Sequence, residues 1–380
     1  MIYFDNSATT KPYKEVIESF VKVSTDYFGN PSSLHQIGGM AEQLLSQARN
    51  QIAKLLKVKQ SEIIFTSGGT ESNNLAIKGV AFQYQGRGNH IITTEIEHAS
   101  VRETMEQLRK FGFEITYLPV DHTGKVSVTS VEKAIRKETI LVSIMHVNNE
   151  VGTIQPIKEI GKLLKGYSKI LFHVDHIQGI GKVPLDFQES GIDLCSISGH
   201  KFHGLKGTGA LYIRDGLKIS TLLSGGSQEL KVRSGTENVA GIVAMAKALR
   251  LTMDQYAEKK TSMLQVSEVI REGLAEITGI TVNSPNIGSA PHIINFSVKG
   301  FKGETFVHLL EEKGIYVSTT SACSSRIPQA SKTLLAMGIP VEEAKSAIRI
   351  SLSYDNTIKE AKKAINVISE SLNHLGEVLK

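Results

Sequence analysis

Cysteine is scarce in this protein of 380 residues: Cys195 and Cys323 are the only two, far apart and in no CxxC pair. A disulfide framework is not expected from that spacing, and a reducing, cytoplasmic setting is. No apolar stretch approaches the roughly 20 residues that a membrane span requires. The opening MIYFDNSATT lacks the basic start and apolar core of a signal peptide. There is no low-complexity tract, and with a net charge of +5 no Lys/Arg run is long enough for a nucleic-acid groove. Neither a membrane nor a nucleic acid is therefore expected as a partner. The nucleotide fingerprints GxGxxG and GxxxxGK(S/T) are missing, which disfavours a dinucleotide-dependent oxidoreductase. His173/His176 and His200/His203 sit in no HExxH and have no cysteine at ligand spacing, so no metal is expected.

What is present is an ordinary globular composition, 41% hydrophobic and 21% charged, on a chain long enough to bury a sizeable core and divide in two. Residues 1–15 read as an extended arm, with Asn6 to Thr10 too polar and small for a core element. Gly29 to Ser33 is turn chemistry, and Ser32 or Ser33 is placed to cap a helix running to about Leu56. Strands then alternate with helices: apolar runs at 63–66, 90–94, 113–118, 140–146 and 170–174 are separated by helical stretches ending near Phe82, Phe111, Lys137 and Leu164. That alternation predicts a largely parallel sheet wrapped by helices. From about residue 237 the pattern changes. A helical stretch over 238–276 has a polar middle, Gln255 to Thr261, suited to crossing between domains. Strands near 292–298 and 347–352, with helices near 303–313, 329–337 and 357–378, predict a smaller α+β domain completed by the N-terminal arm.

The chemistry centres on residues 192–213. An apolar run, Ile192 to Ile197, ends in Ser198-Gly199-His200-Lys201, followed by Gly204, Gly207 and Gly209 and a second apolar run to Ile213. A lysine at the mouth of a buried strand is costly unless its charge is used or suppressed; neutral, its amine can condense with an aldehyde. A solvent-exposed turn lysine is the plain alternative. Gly68-Gly69-Thr70 opens a helix, where free N–H groups and the dipole favour phosphate; taken alone, this stretch is better explained by a plain N-cap at Thr70. His98, at a strand-to-helix turn, can lie on a planar ring or simply cap its helix. Asp175 ends a buried strand and needs a cation, which a pyridinium nitrogen supplies, or else it caps the segment beginning at His176.

Taken together and in this order, a set of motifs resembles the cysteine desulfurase family: Gly69-Thr70-Glu71-Ser72-Asn73, Glu97-His98-Ala99, Val147 to Gly152, Val174-Asp175 with Gln178, Ser198 to Lys201, Arg233 to Thr236, Ser321 to Ser325, and Ile348 to Ser351. These are class V aminotransferase relatives of fold-type I, dependent on pyridoxal 5′-phosphate (PLP). The Ser-Ala-Cys-Ser-Ser form resembles the NifS/IscS-like subgroup with the long cysteine loop. The resemblance implies an α/β fold: a large PLP-binding domain over 16–250 with a mostly parallel seven-stranded sheet flanked by helices, and a small α+β domain from 1–15 and 251–380. It implies that Lys201 carries the cofactor and then acts as base or acid. Gly69, Thr70, Ser198 and His200 would hold the phosphate, joined by Thr236 from the neighbouring subunit of a homodimer. Asp175 would pair with the pyridinium, His98 would stack on the ring, and Gln178 and Asn149 would contact its phenolic oxygen or the substrate. Arg349 would bind the substrate carboxylate. Cys323 would take sulfur from L-cysteine as a persulfide and pass it to a protein acceptor, in iron–sulfur cluster assembly or in tRNA or thiamin thiolation. Cys195, in its apolar strand, reads as a buried inert thiol. A selenocysteine lyase or another class V PLP aminotransferase is the alternative. One departure is visible: His176-Ile177 stands where the family commonly has a small residue and then Thr or Val. It puts a bulky, titratable group beside Asp175 that either shifts the local environment or simply fills space.

Overall fold

The computed structural model describes residues 1–319 and 330–378. After a two-residue strand β1 (Ile2–Tyr3) come helices α1 (Lys14–Asp26) and α2 (Gln36–Leu56). The alternating segment follows: β2 (Ile63–Thr66), α3 (Gly69–Tyr84), β3 (His90–Thr94), α4 (Ala99–Lys110), β4 (Glu114–Leu118), α5 (Val128–Ala134), β5 (Thr139–Met145), α6 (Ile157–Leu164), β6 (Leu171–Asp175), β7 (Leu194–Ser198) and β8 (Gly209–Ile213). Strands β2 to β8 form one seven-stranded sheet in the order β2-β8-β7-β6-β5-β3-β4. Only β8 runs against its neighbours, pairing antiparallel with both β2 and β7. The central strands are buried along their whole length, as expected where helices cover both faces. Two apolar clusters flank the sheet, one including Ile52, Phe172, Phe202 and Leu249, the other Leu75, Val80, Met105 and Leu211.

The 37-residue helix α7 (Val239–Ala275) leads out of this core. Its first half packs Ile242, Met245 and Leu249 against the large sheet; its last turns pack Val266, Ile270 and Leu274 into a separate apolar cluster. That second cluster lies against an antiparallel sheet in the order β12-β13-β10-β9, built from β9 (Ile280–Val282), β10 (Ile293–Val298), β12 (Ser318–Thr319) and β13 (Ala347–Ser351). Helices α8 (Gly303–Glu312), α9 (Lys332–Ala336), α10 (Val341–Lys345) and α11 (Ile358–Val378) complete this part, and β11 (Ile315–Tyr316) pairs in parallel with β1. Ile2 and Phe4 are buried in the second cluster. No helix among the described residues is long and apolar enough to cross a membrane.

Three expectations need correction. Helix α2 is capped by His35, whose ring accepts the Gly38 N–H, and not by Ser32 or Ser33. The arm at Asn6 to Thr10 is not excluded from the interior: Asn6, Ser7 and Thr10 are buried. The Asn6 amide, the Ser7 N–H and the Thr10 hydroxyl are met by Ser351 and His200, which offsets most of the cost of burial, while the Ser7 hydroxyl is buried without a partner. Helix α1 adds to the expected elements, although Val16, Phe20 and Val23 recur at helical spacing.

One ion pair ties the start of the large sheet to the segment ahead of Thr236. The buried Glu229 carboxylate takes both Arg49 guanidinium nitrogens, at 2.6 and 2.8 Å, and the Phe65 N–H at 2.7 Å. It holds Glu229, Leu230 and Lys231 at φ of 45, 57 and 64°, a left-handed run that non-glycine residues adopt only under constraint. Removing one partner of such a pair strands the other. Glu229→Ala should therefore lower the unfolding free energy by about 3–5 kcal/mol in urea titrations; a loss below about 1 kcal/mol would contradict this anchoring.

Candidate active site

The parallel strands deliver their C-terminal ends to one place, where a cavity of about 220 Å³ opens. Met145 and Val147 come from the end of β5, Asp175 from β6, Ser198 from β7, and His98 and Ser100 from the start of α4. Gly69 and Thr70 enter at the first turn of α3, and Ala8 of the N-terminal arm closes one side. Helix α3 begins after Gly68, which sits at φ 150°, ψ −175°, a conformation open to glycine alone. A Cβ on Gly209 would lie 2.6 Å from the Gly68 Cα, so β8 runs hard against this turn. The first N–H groups of α3 have no intrahelical acceptor. Thr70 is inside the helix, so the N-cap explanation for it does not hold.

Asp175 is 6% exposed. Its Oδ2 accepts from Asn73 Nδ2 at 2.8 Å and its Oδ1 from the Ile177 N–H at 3.0 Å. Both donors are neutral, so the carboxylate's position is set while its charge is not answered by them. The Lys201 Nζ donates to the carbonyls of Ser7 and Ala8, at 2.5 and 2.8 Å. Gln178 Nε2 donates to the same Ser7 carbonyl, and its Oε1 is buried without a partner. His98 caps α4: its Nδ1 lies 2.9 Å from Ser100 Oγ and accepts the Ser100 N–H. Burial holds His98 below its ordinary pKa, against the pull of Asp175. Burial, reinforced by Lys201 and Lys206, lowers His200 to about 4. Both imidazoles are neutral at pH 7.

The cavity thus gathers Gly69, Thr70, His98, Asn149, Asp175, Gln178, Ser198, His200 and Lys201, separated by up to 132 positions in sequence. Arg349 does not line it, but reaches its wall: on β13, with its side chain 3% exposed, it donates to the Asn149 carbonyl at 2.9 Å and to Asp5 at 3.0 Å, while its Nε has no partner. Thr236 is exposed and outside the cavity. Cys323 lies outside the described residues. Cys195 is buried, its thiol pushed well up by burial. His176 also stays out of the cavity: its Nδ1 meets His146 Nδ1 at 2.8 Å and its ring packs on Phe187, so it fills space behind Asp175.

Sequence reasoning missed the roles of Asn73, Asp5 and Lys182. Asn73 sits one turn after Thr70 on α3, a spacing that faces both to the same side. Lys182 is buried, donates to the Lys201 carbonyl at 3.0 Å and is lowered to about 7 by burial and by Lys201.

Residues 2–363 match the family described as Aminotransferase class-V. The protein belongs to that family, whose members depend on PLP. It is 49% identical over 385 residues to a NifS/IcsS protein homolog of Lactobacillus delbrueckii subsp. bulgaricus, covering 99% of this sequence and 100% of the relative. It is 47% identical over 377 residues to the cysteine desulfurase IscS of Dictyoglomus turgidum, covering 98% and 95%. A solved structure of a NifS-like protein superposes with a TM-score of 0.93 at 40% identity, covering 98% of this sequence and 99% of that one. The mostly parallel sheet and its flanking helices are the fold expected from the sequence motifs.

Glu97, next to His98, gives a pH test of the buried wall. Burial raises its carboxyl from 4.5 to about 8, although Thr94 and the Met145 N–H donate to it. A raised acid pKa adds stability that is full below pH 4.5 and lost as pH rises through 8. Relative to Glu97→Gln, the wild type should lose stability between those values at up to about 1.4 kcal/mol per pH unit. Denaturation series for both proteins at several pH values test this; parallel curves would contradict it.

Proposed function

We propose that this protein is a PLP-dependent cysteine desulfurase that converts L-cysteine to L-alanine and keeps the sulfur as a persulfide on Cys323. The observation that carries the reading is Asp175, a buried carboxylate hydrogen-bonded by neutral donors, in one cavity with the Lys201 amine. A buried carboxylate needs a cation, and a protonated pyridine nitrogen is one that fits a planar ring site. The residues fit the rest of the group. The start of α3 suits a phosphate, with Gly69, Thr70, Ser198 and His200 around it. Neutral His98 offers a face to the ring, and Gln178 and Asn149 offer polar contacts to its edge. Thr236, outside its own cavity, is assigned to the phosphate of the neighbouring subunit in a homodimer.

Bound there, the cofactor supplies an electron sink for the amino acid joined to it. Lys201 holds the cofactor and afterwards moves the proton at the substrate Cα. Lys182 fixes the Lys201 backbone from behind. Arg349 takes the substrate carboxylate: its guanidinium is held on two sides, and its Nε proton is buried without a partner. The Cys323 thiolate attacks the substrate sulfur. An S–S bond forms, the Cβ–S bond breaks with its electron pair on Cβ, and a proton completes alanine. The same reading divides the protein into 16–250, which holds the cofactor, and 1–15 with 251–380, which bring Arg349 and Cys323. The persulfide then goes to a protein acceptor in cluster assembly or thiolation.

The purified protein should release alanine from L-cysteine, and the Cys323 peptide should gain one sulfur while the Cys195 peptide gains none. Cys323→Ser should keep the cofactor's absorbance change with L-cysteine and lose alanine turnover. Full turnover by that variant would indicate a lyase that releases sulfur directly. Arg349→Ala should weaken apparent L-cysteine affinity about a hundredfold, as expected for losing charge-assisted hydrogen bonds, with the cofactor retained. Unchanged affinity in a spectral titration would contradict the assignment.

A further inference from the structure

The loop at 147–152 carries a glutamate that the mechanism above does not use. The Glu150 carboxylate accepts the Ser331 hydroxyl at one oxygen and the Thr333 hydroxyl, at 3.1 Å, at the other. Ser331 is at the same time the N-cap of α9, accepting the Leu334 N–H at 3.1 Å. The Glu150 backbone is pinned as well: its N–H donates to Asn148 Oδ1 at 2.9 Å and its carbonyl accepts from Asn295 at 3.2 Å. One residue earlier, Asn149 lines the cavity and its carbonyl accepts Arg349. This loop therefore touches the cofactor cavity, the arginine on β13 and the start of α9 within two adjacent residues. In sequence, Ser331 follows Cys323 by eight positions. On the other side of Cys323, Ser318 is paired with Arg349 across β12 and β13.

We propose that Glu150 is a positioning residue for sulfur transfer, fixing Ser331 and Thr333 at the start of α9 beside the wall of the cofactor cavity. A carboxylate suits this task because it accepts two hydroxyl bonds at once, and bonds to a charged acceptor are the stronger kind. The two buried hydroxyls and the acid satisfy one another, so removing any one of the three weakens the tether. The role rests on the desulfurase reading and concerns one step of it. Cysteine binding at Lys201 and Arg349 precedes formation of the S–S bond on Cys323, and Glu150 acts on the second step alone.

The test separates those steps in the holoenzyme. Stopped-flow absorbance reports L-cysteine reaching the cofactor, and quenched-flow mass spectrometry reports sulfur on the Cys323 peptide. Glu150→Gln should leave the first rate and its concentration dependence within about twofold, and slow persulfide formation about tenfold, the effect of losing a charge-assisted hydrogen bond. Thr333→Val, which keeps volume and the α9 cap, should slow the second step alone by a smaller factor and carries the same prediction should Glu150→Gln fail to fold. Glu150→Asp should recover part of the rate. Equal slowing of both steps, or of neither, overturns the proposal while leaving the desulfurase reading intact. A wild type that forms no persulfide on Cys323 overturns that reading, and this proposal with it.

Discussion

The buried carboxylate of Asp175 is the constraint on which the site depends. It stands at the end of β6, the central strand of the large sheet, where helices on both faces exclude water. Two neutral donors, Asn73 from α3 and the Ile177 N–H, set its direction. Its charge asks for a partner that these donors do not provide. The neighbouring imidazoles cannot serve, since burial holds His98 and His200 neutral. An electron-poor ring with a proton on its nitrogen answers that charge, and the same cavity contains the amine that an aldehyde requires. On the proposed reading, the cofactor sits where a buried carboxylate can be tolerated.

The second constraint is the meeting of two cores. The large sheet holds the residues assigned to the cofactor, whereas Arg349 belongs to the antiparallel sheet beyond α7. The contacts that join them include Arg349 to the Asn149 carbonyl and to Asp5, Glu150 to Ser331 and Thr333, the N-terminal arm to His200, and the packing of Val151 on Leu334 and Met337. The arm is thus structural mortar. Its small polar residues fit between two apolar bodies because Asn6, the Ser7 N–H and Thr10 find partners there. Lys201 uses the same arm, donating to Ser7 and Ala8.

Much of this was legible in the sequence because the signals were local. The strand at Ile63–Thr66 and the strand at His90–Thr94 stand where their apolar runs do, and the polar middle of 238–276 falls within one continuous helix. Of the cavity residues, Thr70, His98, Asp175 and Lys201 were legible because strand ends and helix starts are where α/β sheets place ligands, whereas Asn149, Gln178, Ser198 and His200 came from the family resemblance alone. What escaped was set by tertiary contact. Asp5, Asn73 and Lys182 have no distinctive spacing, and only the fold brings them to Arg349, Asp175 and Lys201. The short strands at Ile280–Val282 and Ser318–Thr319 carry too few residues for a period to show. Adjacency left open whether His176 perturbs Asp175 or fills space; neighbours on a strand end point apart, and it pairs with His146 and fills space.

The central claim is that Lys201 and Asp175 define the PLP site. Borohydride reduction of the purified holoenzyme, followed by proteolysis and mass spectrometry, tests it most directly. The cofactor mass should be fixed on the single peptide that contains Lys201. Labelling of a different lysine, with Lys201 unmodified, would contradict the account.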